Sequence, residues 1–196
     1  MHIATCEIHK LLALFDHLMT QRVLIGYGSR YGSTAEVAQE MGNVLQESGA
    51  QVEVVDLRKD KPSGEIQDYD LVVIGSGIQA GRWTKEPLEF IRKNTERLSY
   101  MKVALFVVSG YATNPENHET VQTEYLDKIV EENPGLKPIA TAFFAGVFDF
   151  KKHNFAVRRL VKSIVKNQMG PGEEAPDKID SRDWDQIRGW AAGLLE

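Results

Sequence analysis

Between Val23 and Thr34 the chain reads Val-Leu-Ile-Gly-Tyr-Gly-Ser-Arg-Tyr-Gly-Ser-Thr, an apolar strand pattern that breaks into glycines and hydroxyls and then opens a helix. A helix starting near Ser33 leaves its first backbone N–H groups without intrahelical partners and carries partial positive charge at that end. A phosphate is held there without a lysine. Ser29, Ser33 and Thr34 add hydroxyls around the same point, with Arg30, Tyr31 and Gly32 in the turn. Spacing narrows the ligand. A dinucleotide fingerprint needs Gly-x-Gly-x-x-Gly; Gly26 and Gly28 meet its first two positions, but Tyr31 takes the third and the glycine arrives one residue late. A nucleoside-triphosphate loop needs Gly-Lys-Ser/Thr, and no lysine follows these glycines. What remains is Ser-x-x-Gly-x-Thr, a pattern that a ligand-free strand-to-helix turn also satisfies.

The elements around this turn are legible from periodicity. Val37, Ala38, Met41, Val44 and Leu45 fall mostly at helical spacing and Ser48-Gly49 ends that helix, after which Val52, Val54 and Val55 make a short strand closing at Asp56. Asp70 to Gly75 contains the continuous apolar run Leu-Val-Val-Ile, the pattern of a strand covered on both faces. A helix near 84–97, a strand at 103–108, a helix near 115–132 and a strand at 139–145 follow. Five strands alternating with helices predict an α/β, doubly wound parallel sheet, on which ligands sit outside the carboxyl ends of the strands. Four of those ends carry glycine, at Gly28, at Gly75 and Gly77, at Gly110 and at Gly146, where backbone can approach a flat ligand.

At 196 residues with 42% hydrophobic and 26% charged residues, the chain is sized for one globular domain, and a formal charge of −5 argues against a nucleic-acid binder. The lone Cys6 excludes an internal disulfide and fits a reducing cytoplasm. Histidines 2, 9, 17, 118 and 153 show no metal spacing. The apolar cluster Leu11 to Phe15 is cut short by Asp16 and His17, too short to span a bilayer. Residues 1–21 therefore read as a leader or appended helix, and 22–196 as the domain.

Several quoted segments, in their order, carry a family resemblance. The Ser29 to Thr34 turn is similar to the phosphate loop of flavodoxins. Tyr69 to Ile78, the spacing to a helix ending at Leu98, Ala145-Gly146, and the tail from Met169-Gly170 to Asp183-Trp184 resemble the superfamily's branch of menaquinone-dependent protoporphyrinogen dehydrogenases. The resemblance implies a flavodoxin-like five-stranded sheet in the order 2-1-3-4-5 and a bound FMN. The FMN phosphate would lie at Ser29, Arg30, Tyr31, Gly32, Ser33 and Thr34. Its ring would lie between a loop containing Ser76, Gly77, Ile78, Gln79 and Trp83 and another containing Ser109, Gly110 and Tyr111. Trp83 and Tyr111 are the implied ring-stacking candidates, although a tryptophan opening a helix also serves as a core-edge anchor. No catalytic side chain is implied, because the flavin carries the chemistry.

Residues 151–169 hold Lys151, Lys152, Arg158, Arg159, Lys162 and Lys166 with no acid, and Val157, Leu160, Val161, Ile164 and Val165 form a helical stripe. An extra basic helix is expected here, where that branch carries an insertion. It either packs on the domain with a solvated basic face or lies on an anionic membrane surface. Three readings stand: an FMN enzyme passing electrons from a porphyrinogen to a quinone, a carrier between redox protein partners, and an FMN-dependent NAD(P)H:quinone reductase. The enzyme is preferred over the carrier, because the basic segment suits an acidic carrier poorly. It is expected in the cytoplasm, at or near the inner membrane face.

Overall fold

Val23, Leu24 and Ile25 are wholly buried because β1 (Arg22–Gly28) lies between two parallel neighbours. The computed structural model describes residues 20–149, 159 and 178–196. β1 leads through the glycine turn into α1 (Ser33–Glu47) and β2 (Gln51–Asp56), which forms one edge of the sheet. β3 (Leu71–Gln79) pairs with the other side of β1 and folds back as the two-residue β4 (Arg82–Trp83). α2 (Lys85–Leu98), β5 (Lys102–Ser109) and β6 (Pro138–Ala145) complete the sheet. Its parallel strands run β2-β1-β3-β5-β6, the expected order once the antiparallel β4 is set aside.

Alternation along each strand sends successive side chains to opposite faces, and both faces are covered. Leu24, Val72, Ile74 and Leu105 pack with Ile91 and Leu98 of α2 and with Val121, Leu126 and Ile129 of the helical run over 118–132. Val23, Ile25, Val73 and Phe106 pack on the other face, with Val37, Met41 and Leu45 of α1 and with Ile187 and Ala191 of α5 (Trp184–Ala192). Each of these side chains larger than alanine contributes about 1.5–3 kcal/mol by leaving water.

The expected helix at 115–132 is interrupted. Short 3₁₀ turns at Gly110–Thr113 and Pro115–Asn117 precede α3 (His118–Gln122), a π-helical turn over Thr123–Asp127 and α4 (Lys128–Glu132). After β6, β7 (Val147–Asp149) pairs antiparallel with β8 (Lys178–Asp180), so the chain leaves at Asp149 and returns beside it at Lys178. The basic helix expected at 151–169, His153 and Met169-Gly170 lie outside the described residues, except that Arg159 is helical and exposed. The leader lies outside them too, save Thr20 and Gln21.

Gly75 shows how tightly the second face is packed. A Cβ there would stand 2.0 Å from Cζ of Phe106, whose ring is wholly buried between Phe144 and Trp190 and has nowhere to move. Gly75→Ala is expected to destabilise the protein by about 1–3 kcal/mol, read as a lowered urea midpoint with unchanged slope.

Candidate ligand-binding cleft

The order of the sheet reverses between β1 and β3, and the loops beyond their carboxyl ends part there. They enclose a cleft of about 310 Å³. Ser29, Arg30, Tyr31, Ser33 and Thr34 form one end. The β3 loop contributes Gly77, Ile78, Gln79, Gly81 and Thr84, and the β5 loop contributes Val108, Ser109, Gly110 and Tyr111. Tyr125 and Gly146, Val147 and Phe148 complete the lining. No carboxylate is among these residues, and Arg30 is their one charged side chain.

The turn after β1 is built to present backbone N–H groups. Ser29 is buried and its Oγ accepts the Gly32 N–H at 3.1 Å, which closes the turn on itself. Gly32 has φ 103°, a left-handed conformation that a side chain would strain, and it delivers the chain directly into α1. No side chain caps α1, whereas Asp183 caps α5 by accepting the N–H groups of Asp185 and Gln186 at 3.0 Å. The uncapped start of α1 opens on the cleft through Ser33 and Thr34. Thr34 is buried beneath it, and a Cβ on Gly77 would come within 2.8 Å of Thr34 Oγ1.

Ser76 lies under the cleft and outside its lining. Its wholly buried Oγ accepts the Thr84 N–H at 2.9 Å, lies 3.1 Å from Thr84 Oγ1 and donates to the Gly77 carbonyl at 3.0 Å. That knot ties the end of β3 to the start of α2. Between them Ala80 and Gly81 form a two-residue hairpin turn, both at positive φ. On the β5 side, Ser109 Oγ accepts the Tyr111 N–H at 3.1 Å and bends the chain so that Tyr111 stands half-exposed at the cleft. A Cβ on Gly110 would meet no protein atom within 4 Å, so the space beside it belongs to the cleft.

The Flavodoxin domain model matches residues 24–174, most of the chain. The chain belongs to this family. Two relatives named protoporphyrinogen IX dehydrogenase (quinone) are similar to this flavodoxin-domain protein. The one from Escherichia coli (strain K12) is 29% identical over 171 residues, spanning 87% of this chain and 92% of the relative. The one from Leishmania major is 25% identical over 172 residues, spanning 87% and 73%. Oxidised flavodoxin 1 from Bacillus cereus shares the fold, with TM-score 0.54 at 15% identity over 89% of this chain and 97% of that one.

Within this flavodoxin domain, Trp83 takes the second of the two places expected for it, that of a core-edge anchor before α2. Trp83 does not line the cleft; it is buried in the core, and its indole N–H donates to the Tyr125 carbonyl at 2.6 Å. A π turn breaks the regular helical ladder, and Trp83 supplies a donor to one of its carbonyls. Tyr125, which sequence periodicity gave no reason to select, faces the cleft instead. Burial first, then the Tyr111 phenol and the Glu124 carboxylate, raise its pKa, so its O–H stays protonated at neutral pH. His118 is outside the lining: its Nε2–H donates to the Ala112 carbonyl at 3.0 Å and its ring packs on Phe143. Trp83→Phe removes the indole donor from the part-buried Tyr125 carbonyl and is expected to destabilise the fold by about 1–2 kcal/mol, measured by chemical denaturation.

Proposed function

We propose that residues 22–196 form an FMN-dependent oxidoreductase that oxidises a porphyrinogen, of the protoporphyrinogen IX kind, and passes the electrons to a quinone. The observation that carries this reading is the uncapped start of α1 opening on a cleft that, among the described residues, no carboxylate lines. Such a site suits an anion at one end and a flat ring at the other. FMN has that shape, and the donor set fits it. N–H groups at the start of α1 with the hydroxyls of Ser33 and Thr34 would hold the phosphate. Backbone of Gly77 and Gly110, with Tyr31 and Tyr111, would border the ring. Bound there, FMN supplies the two-electron acceptance and donation that no side chain offers. Tyr125 would keep a phenol O–H at the cleft, and Ile78, Val108 and Phe148 would exclude water from the ring's surroundings.

The names of the relatives, matched over most of both chains, support porphyrinogen and quinone as the substrates. Titrating the flavin-free chain with FMN should quench flavin fluorescence, and anaerobic protoporphyrinogen with a menaquinone analogue should yield porphyrin fluorescence in proportion to protein. FMN binding without porphyrin formation would refute the enzyme reading and favour a carrier. Gly77→Ala puts a methyl within 2.8 Å of Thr34 Oγ1 and is expected to destabilise the flavin-free chain by about 1–3 kcal/mol, read as a lowered urea midpoint.

The same reading extends to the basic segment 151–169 as a peripheral contact with an anionic membrane, where quinones reside; no helix among the described residues is long and apolar enough to cross one. Arg/Lys→Gln changes at 158, 159, 162 and 166 should release the protein from anionic vesicles in a sedimentation assay. Unchanged binding would discard the membrane contact.

A further inference from the structure

Arg182, just beyond β8, is the charged group that the cleft leaves unexplained. Its side chain is 3% exposed. Nε and Nη2 donate to the two oxygens of Asp180 at 2.8 and 2.6 Å, Nη1 donates to Glu36 Oε2 at 2.6 Å, and the guanidinium covers the Trp184 ring at 4.4 Å. A forked guanidinium fixed on two carboxylates and an aromatic face is a stationary charge, unlike a mobile surface pair. These bonds hold the Asp180 carboxyl below its usual range, the Arg182 hydrogen bonds outweighing burial.

Glu36 occupies the first turn of α1, and its N–H donates to the Gly32 carbonyl at 3.0 Å. Glu36 is therefore in the first turn of the helix whose start opens on the cleft through Ser33 and Thr34, although it does not itself line the cleft. An acid in that position favours a bare helix start and opposes a second anion at the same end. Arg182 places one positive charge between the Glu36 and Asp180 carboxylates, so the three groups together carry a net charge of −1 and Glu36 is only partly offset. Through Asp180, Arg182 also fastens β8 to the helix, and β8 pairs with β7, whose Val147 and Phe148 line the cleft.

We propose that Arg182 is a positioning residue for the anion end of the cleft, partly offsetting the Glu36 charge in the first turn of α1 while tying β8 to α1. The proposal rests on the flavin reading above. The Arg182 charge acts selectively on the phosphate, whereas the tie through β8 to Val147 and Phe148 acts on both flavins alike, so the ratio of the two affinities reads the charge. Glu36 is partly solvated, so the effect is modest.

The test compares FMN with riboflavin, which lacks the phosphate, by fluorescence titration of the flavin-free full-length chain. Arg182→Gln should weaken FMN binding by about three- to tenfold and change riboflavin binding less than about twofold. Glu36→Gln together with Arg182→Gln should restore the wild-type ratio of the two affinities. Equal weakening of both flavins, or no recovery in the double variant, would overturn the proposal and leave Arg182 as a structural tie. Should Arg182→Gln fail to fold, Glu36→Gln alone decides: it should tighten FMN relative to riboflavin, and an unchanged ratio would overturn the proposal. Failure of the wild-type chain to bind either flavin would instead remove the reading on which the proposal stands.

Discussion

A helix that begins without a side-chain cap leaves its first N–H groups to be satisfied from outside, and α1 begins in that way at Ser33. The same chain caps α5 with Asp183, so the difference lies in the local residues. In the turn before α1 the one hydroxyl able to reach back, that of Ser29, is engaged by the Gly32 N–H. The start of α1 therefore opens on the cleft at Ser33 and Thr34, and the features around it agree with that: a left-handed Gly32, a Gly77 without a side chain against Thr34, and no carboxylate lining among the described residues.

The sheet fixes where that helix start lies. β1 is central and covered on both faces, so its carboxyl end has little freedom, and the loop after β3 is tied to α2 through Ser76 and Thr84. Two glycines keep these layers close: a Cβ on Gly28 would strike Thr84 Oγ1 at 2.1 Å, and one on Gly75 would strike Phe106 at 2.0 Å. Packing on both faces thus converts a run of apolar residues into a rigid frame for three loops. The loops themselves are held by hydroxyl-to-backbone bonds at Ser29, Ser76 and Ser109.

Features set by local chemistry were legible in the sequence. The five parallel strands, the glycine turn and the helix after it were legible, because apolar runs, Ser48-Gly49 and the hydroxyl cluster act within a few residues, whereas the short antiparallel strands β4, β7 and β8 were not. Of the fourteen residues expected at the cofactor, Gly32, Ser76 and Trp83 support the cleft without lining it. Which of its two expected places Trp83 takes was not legible, because its partner, the Tyr125 carbonyl, lies 42 residues away and depends on a π turn that periodicity does not encode. Tyr125 was missed for the same reason. The Arg182 to Glu36 contact joins residues 146 apart, and nothing local marks either as a partner. The hairpin at Ala80-Gly81 was hidden because alanine is an unusual occupant of a left-handed turn position.

Whether the start of α1 holds the anion can be read directly from its amides. In an assigned ¹H–¹⁵N spectrum of the flavin-free chain, adding FMN should move the Ser33, Thr34 and Ala35 amide protons downfield, as N–H groups do on binding an anion. Riboflavin should perturb the loops at Gly77 and Gly110 while leaving those three nearly in place. Movement of the three amides to the same extent with both flavins, or no movement with FMN, would contradict an anion seat at this helix start.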